Sequence, residues 1–330
     1  MKPASVNWKE DIAADEETRF TGYAKQFEAI QQENSKLFGK GRTLHRKQLL
    51  GMKAKLEVLP DLPEHAKQGL FAKSGIYESL IRLSSGSMKI QPDSKGDIRG
   101  FAIKILGLNS PGALGNGNAT AQDFLFINLE TFSSPKSDEF VGLVTAVAKG
   151  GGALLKYLFT TYGFLGAISR IRKAAATFNK PFSGFATERF YSAAPISWGP
   201  YAVRVRLLPP ENQIPSKDAL NHWGLDMKTR LTQESLVYSF QVQFFTDETT
   251  TPIEDASKNW VESESPYITV ARLTIPRQEL GSQEAMAFQA KVEEAVFDPW
   301  EALLEHRPLG DVMRARKYVY LTSQKGRGAV

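Results

Sequence analysis

Apolar residues recur at Ile12, Phe20, Tyr23, Phe27, Ile30 and Phe38 with charged residues between them, a spacing that predicts helix over 12 to 39. After Gly39 and Gly41 the period changes. Runs at 54 to 59 (AKLEVL), 77 to 84 (YESLIRLS), 99 to 107 (RGFAIKILG) and 123 to 129 (DFLFINL) are separated by Gly, Pro, Asn and Ser clusters and read as strands. Three more runs of the same kind fall at 200 to 208, 235 to 246 and 266 to 276. Seven strands without helical crossovers argue for an antiparallel sheet, closed as a barrel because closure removes exposed edges.

Between the two strand groups lies 138 to 179, the most apolar part of the chain. Lys149, the glycines 150 to 152 and Lys156 interrupt it before about twenty apolar residues accumulate, which argues against a transmembrane helix. A pair of helices packed on the barrel is the plain expectation; a greasy wall of a substrate channel, or a patch in weak contact with membrane, is the functional one. The organisation predicted is α+β: an N-terminal helical arm over 1–40, and a single domain over 41–330 made of an antiparallel β-barrel, a helical insert over 138–180 and a C-terminal helix.

Composition narrows the function. At 330 residues, 42% hydrophobic and 11% aromatic, the chain can bury a substantial core. Its charge of +5 arises from 41 basic and 36 acidic residues that are interspersed, which does not make a nucleic-acid footprint but leaves anionic small molecules and membrane surfaces as partners. There is no cysteine, so disulfides, thiolate ligands, iron–sulfur clusters and thiol nucleophiles are excluded and redox chemistry must be borrowed from a cofactor. The first twenty residues lack the apolar stretch of a signal peptide, and a cytoplasmic location is expected.

The last segment carries the sharpest chemistry. Arg316, Tyr320, Ser323 and Arg327 follow one another at i, i+4, i+7 and i+11, one stripe of a helix. A tyrosine keeps its proton to about pH 10 unless nearby positive charge favours the anion, and a phenolate is a known axial ligand of haem iron. Arg314 and Tyr318 repeat the i, i+4 spacing two residues earlier, and a basic helix end also complements the macrodipole. His45 lies just before the first strand with Arg42 three residues ahead of it. Arg82 and Ser84 alternate with Leu83 and share one side of a strand, read here as the barrel interior, where an arginine requires an anion. Haem propionates are such anions, and Arg42 and Arg327 could serve them too.

The set Arg42-Thr-Leu-His45, Arg82-Leu-Ser84, Asp97-Ile-Arg99-Gly100-Phe101-Ala102-Ile103-Lys104 and Arg316-x3-Tyr320-x6-Arg327 resembles the haem catalases in order, spacing and residue type. FDPW at 297 to 300 and HRPLG at 306 to 310 are similar to the small divergent catalase-related proteins. The resemblance implies one b-type haem with Tyr320 as iron ligand and Arg316 holding it deprotonated. His45 would be the distal acid–base group, with Ser84 bonded to its imidazole. Arg42, Arg82 and Arg327 would meet the propionates, and Phe132 would stack on the porphyrin. The family's distal asparagine has no clear counterpart: counting back along the fourth strand reaches Thr120, with Asn118 and Gln122 as neighbours. Coral-type allene oxide synthases share this fold and carry threonine before the distal histidine; here Leu44 stands there and Thr43 one place further back. The implied activity is a haem peroxidase of weak catalase activity, acting on hydrogen peroxide or organic hydroperoxides. A fatty-acid hydroperoxide lyase, isomerase or allene oxide synthase is the alternative, and a haem carrier or sensor a third; a homo-oligomer is possible.

Overall fold

The computed structural model describes residues 2–179, 181–216 and 222–330. Helix α1 (Glu16–Phe38) leads into strand β1 (Lys47–Val58), followed by β2 (Gly75–Ser85), β3 (Arg99–Pro111) and β4 (Asn118–Ile127). Helices α2 (Ser137–Ala148) and α3 (Gly151–Asn179) form the insert, and β5 (Phe190–Tyr191), β6 (Ile196–Trp198) and β7 (Tyr201–Leu208) come next. Then follow α4 (Trp223–Gln233), β8 (Leu236–Phe244), β9 (Tyr267–Ile275), α5 (Gln283–Glu294) and α6 (Asp311–Arg327).

All strand pairs are antiparallel, in the order β5-β4-β3-β2-β1-β9-β8-β7-β6. A further pairing of β5 with β7, Phe190 opposite Leu207, closes the sheet into an eight-strand barrel and leaves β6 as a short flap. Seven of these strands are the seven predicted. The strands β5 and β6, too short for a period to register, and the polar helices α4 and α5 were not anticipated.

Strand alternation decides what lies inside. Met52, Leu56, Ile81, Leu83, Phe101, Ile103, Phe124 and Phe240 are buried together in one apolar core with Phe71, Trp198 and Tyr238. Each such side chain contributes about 1.5–3 kcal/mol by leaving water. The intervening residues of β2 and β3 therefore face outward, and Arg82 and Ser84 lie on the outer face of the barrel, under the helices, rather than in its interior. The reason is electrostatic: the aromatic interior offers a guanidinium no partner.

The helix α1 starts at Glu16, four residues later than its apolar pattern suggests; Lys2 and Ser5 donate backbone hydrogen bonds to Glu264 and Phe245 instead. It lies along α6, where Phe20, Tyr23 and Phe27 share a cluster with Val141, Val144, Ala315 and Tyr318. The insert is a pair of helices with a break, since Gly163 (φ 66°) interrupts α3. One carboxylate clamps it: Glu139 accepts from Tyr162 Oη at 2.7 Å and Arg170 Nη2 at 3.0 Å, and its main-chain oxygen accepts from Tyr157 at 3.0 Å. Among the described residues no helix is long and apolar enough to cross a membrane.

Candidate functional site

The position of Tyr320 is fixed by how α6 is anchored. Gly310 (φ 87°) starts the helix where a Cβ would stand 2.6 Å from the carbonyl oxygen of Ile253, so only glycine fits. Arg314 turns away from the barrel into three carboxylates, Glu10, Glu16 and Glu254, at 2.7–2.9 Å. Tyr318 packs on Phe20 with ring centres 5.7 Å apart. The competing Arg314–Tyr318 pair is thus spent on structure. Arg316 Nη2 donates to Tyr320 Oη at 2.7 Å, and the guanidinium lies 4.9 Å from that ring's centre.

The FDPW segment holds this register. Trp300 Nε1 donates to the carbonyl of Met313 at 2.8 Å, and Gln324 Nε2 donates to Asp298 Oδ2 at 2.6 Å. The Asp298 main-chain N–H in turn donates to Asp123 Oδ2 on β4 at 2.8 Å. Asp123 meets Lys104 at 2.7 Å, yet burial pushes its carboxyl up to about 7. Helix α6 is therefore bolted to the barrel at both ends of the stripe that carries Tyr320.

His45, which lines the same cavity as Tyr320, is in the left-handed region at φ 52°. That strained conformation is held by its N–H donating to Gly86 at 3.0 Å and by Arg82 donating to its carbonyl at 2.9 Å. The Nδ1 atom lies 3.0 Å from Ser84 Oγ, so Nε2 is the ring nitrogen left for chemistry. Gly100, opposite Ser84 in the ladder, makes this possible: a Cβ there would come within 2.5 Å of His45 Nδ1 and 2.6 Å of Ser84 Oγ. Burial, then the cations Arg82, Arg316 and Arg42, lower the imidazole to about 3, so His45 is neutral at ordinary pH.

Arg42, Arg82 and Arg327 do converge, on the C-terminal end of α5, where Arg42 and Arg82 meet a carboxylate that sequence alone did not single out. Glu293, at the end of α5, accepts from Arg42 Nη1 at 2.7 Å and from Arg82 Nε at 2.8 Å. Carbonyl oxygens of the same helix end complete the set: Arg42 donates to Glu293 and Ala295, and Arg327 to Glu294 and Ala295, at 2.7–2.9 Å. A helix C-terminus is the negative end of the macrodipole, which suits three guanidiniums. Burial and the neighbouring Arg82 hold Arg42 well below its usual range. Three guanidiniums against one carboxylate leave a local excess of two positive charges.

The three arginines, His45, Ser84 and Tyr320 line one cavity of about 200 Å³ with an open mouth. His45, Ser84 and the arginines contribute its polar part, along with Tyr320. Leu125, Ile127, Phe132, Phe140, Val141 and Phe297 make most of the rest apolar. Phe132, expected as a stacking ring, does line it, edge-on to Phe140 at 5.8 Å.

Thr120 does not reach the cavity. The strand β4 begins at Asn118, five residues before the expected run, so Thr120 sits exposed at the far end of the β3–β4 ladder. Of its neighbours, Asn118 donates to Asn109 at 2.8 Å and Gln122 is buried, accepting from the Leu303 N–H at 2.9 Å. What β4 offers the cavity beside His45 is apolar, Leu125 and Ile127. The remaining histidines lie elsewhere: His65 against Phe244, His222 at the start of α4, and His306 buried between Phe71 and Trp198.

Neither a scan of family models nor a search of curated proteins found a match. Solved structures do match. A fungal catalase aligns with TM-score 0.68 and 18% identity over 87% of this chain and 59% of its own. Catalase A from Saccharomyces cerevisiae aligns with TM-score 0.65 and 17% identity over 87% of this chain and 61% of its own. A bacterial catalase gives 0.65 and 16% over 99% of this chain and 63% of its own. The chain has a catalase-like fold, and it spans about 60% of the length of these catalases.

Proposed function

We propose that this catalase-like fold binds one b-type haem in the cavity and acts as a haem-dependent peroxidase on hydrogen peroxide or an organic hydroperoxide. One observation carries the proposal: a phenol held at 2.7 Å by a guanidinium and a neutral histidine held at 3.0 Å by a serine line the same largely apolar cavity. The donor set fits the group. Among the described residues no three His, Asp or Glu side chains gather to hold a bare ion, whereas a porphyrin iron needs one axial ligand from the protein. The excess of two positive charges at Arg42, Arg82, Arg327 and Glu293 equals the charge of two propionates. Phe132 and Phe297 offer aromatic walls.

When bound, the haem supplies a ferric centre that delivers the electrons for breaking the O–O bond. The chain supplies the rest. Arg316 donates to the Tyr320 oxygen at 2.7 Å and fixes where that oxygen sits in the cavity wall. Nε2 of His45, uncharged and oriented through Nδ1 by Ser84, accepts the peroxide proton and returns it to the departing oxygen. Gly100 leaves the room that ring needs against β3.

A second reading has its own support. The carboxamide in the cavity lining, Gln324, is engaged by Asp298, and the wall formed by Leu125, Ile127, Phe140 and Val141 is apolar. Holding a second peroxide as reductant needs such a donor, so oxygen release should be weak. A long-chain hydroperoxide would gain about 0.8 kcal/mol per buried methylene, roughly two orders of magnitude in binding for four.

The test is a haem titration followed by kinetics. Wild type should take up one haem with a ferric phenolate spectrum, Tyr320→Phe should lose that ligand band, and Tyr318→Phe should keep it. Absence of haem uptake by the wild type would overturn the reading. Rates are then compared for hydrogen peroxide with an electron donor, a short alkyl hydroperoxide, and a C18 fatty-acid hydroperoxide without donor. Faster donor-independent conversion of the C18 substrate would replace the peroxidase by the lipid-hydroperoxide enzyme.

A further inference from the structure

The insert carries a surface that the cavity does not use. Phe159, Phe164 and Phe178 are the exposed phenylalanines among the described residues, and all three lie on α3. At the Gly163 break, Phe164 and Leu165 are 67% and 81% exposed. Leu155 and Phe159 stand one turn apart before the break, and the Phe159 and Phe164 rings are 5.9 Å apart. After it, Phe164, Ile171 and Phe178 repeat at i, i+7 and i+14, a single exposed stripe. A monomer leaves a contiguous apolar patch of this kind uncovered where something docks.

The charge around it identifies the partner. From 140 to 187 the sequence has no Asp or Glu. Lys149, Lys156, Arg172 and Lys173 are all exposed there, while the clamp residue Glu139 is occupied by Tyr162 and Arg170. A second copy of this chain would bring the same cations against themselves. Along α3 the charges flanking the exposed aromatics of the Gly163 break are cations, and the carboxylates nearest the helix, Asp93, Asp97 and Glu188, lie at its far end beside Lys173 and Phe178; such a tip matches what an anionic bilayer surface binds, with rings in the headgroup boundary and lysines at the phosphates.

We infer that the α2–α3 insert is a peripheral membrane-docking element, and that its partner is the surface of an anionic lipid bilayer. The Gly163 tip inserts and Lys149, Lys156, Arg172 and Lys173 engage the headgroups. No helix spans, because none is long and apolar enough. This inference does not depend on the haem proposal.

Cosedimentation of the 330-residue protein with vesicles tests it. Vesicles of phosphatidylcholine with phosphatidylglycerol should bind, and phosphatidylcholine alone should bind at least tenfold more weakly. Raising salt from about 0.1 M to about 0.5 M should release the protein, because the Debye length shortens below the charge spacing. Neutralising Lys149 or Lys156 to Gln should weaken binding about fivefold each. Phe164→Ser with Leu165→Ser should abolish it while leaving the circular dichroism and thermal melt unchanged, since both side chains are largely in water. Tyr320→Phe should bind as wild type, which separates this result from any failure of the haem site. Equal binding to neutral vesicles, no binding to anionic ones, or a dimer dissolved by Phe164→Ser without vesicle binding would each overturn the inference.

Discussion

Tyr320 and His45 owe their chemistry to neighbours one helical turn or one ladder rung away, and that distance governs what could be read. The Arg316–Tyr320 pair was legible because a helix places i and i+4 side by side wherever it lies. Ser84 beside His45 was legible only through the family resemblance, since 39 residues separate them. Glu293 was not legible at all: it ends a polar helix whose sequence resembles any solvated one, and only folding brings it to Arg42 and Arg82. Two predictions belong here. With its imidazole at about 3, His45 stays unprotonated across the working range, so the second-order rate with peroxide should show no inflection near 6.5 and fall only toward pH 3–4. An inflection at 6 to 7 that vanishes in His45→Ala would refute the burial argument. Gly100→Ala should keep haem binding while lowering peroxide turnover by about 10² to 10⁴, because the new Cβ displaces the base and not the cofactor.

Elements were read well where their period was long and badly where a boundary mattered. Strand β4 extends five residues further back than its apolar run, because Ala119, Ala121 and Gln122 are buried without being large and apolar, and that shift alone removed Thr120 from the site. The α6 register depends on a polar latch, and Gln324→Leu should strand the buried Asp298 and loosen Tyr320. A cost of about 1–3 kcal/mol in chemical denaturation, with a weakened ligand band, is expected. His306 offers a separate test of the barrel core. Burial lowers it to about 4, and its Nε2 accepts from the Leu70 N–H at 3.0 Å. The unfolded chain protonates its histidine first as pH falls through about 6.5, so folding loses stability between about 6.5 and 4 at about 1.4 kcal/mol per pH unit. Urea midpoints across that window should be flatter by this slope in His306→Gln, which keeps an acceptor; an unchanged slope would place a charged histidine in the core.

For the whole molecule, alternation and loop chemistry were enough to predict a closed antiparallel barrel, because seven strands each switched period sharply enough to register. What they could not give was which face of the wall the chemistry occupies. Alternation says that Arg82 and Ser84 share a side, but only the aromatic filling by Phe71, Trp198 and Phe240 makes that side the outer one. The arginine cluster against the end of α5 then bears on the order of assembly. Arg42, Arg82 and Arg327 are satisfied within the chain by Glu293 and helix carbonyls, so no buried cation waits for an outside anion before the fold can close. On the proposed haem-binding reading, translation and cofactor loading would be uncoupled: protein made under haem starvation should be soluble, unfold cooperatively and accept haem afterwards. Glu293→Ala should weaken the haem-free protein by about 1–3 kcal/mol, because Arg42 and Arg82 lose their acceptor, and a haem-loaded protein by less, since ligand carboxylates would take over the two guanidiniums. If the proposed haem binding holds, a cell with such a protein would keep a reserve of finished polypeptide whose activation is limited by cofactor supply and not by new synthesis.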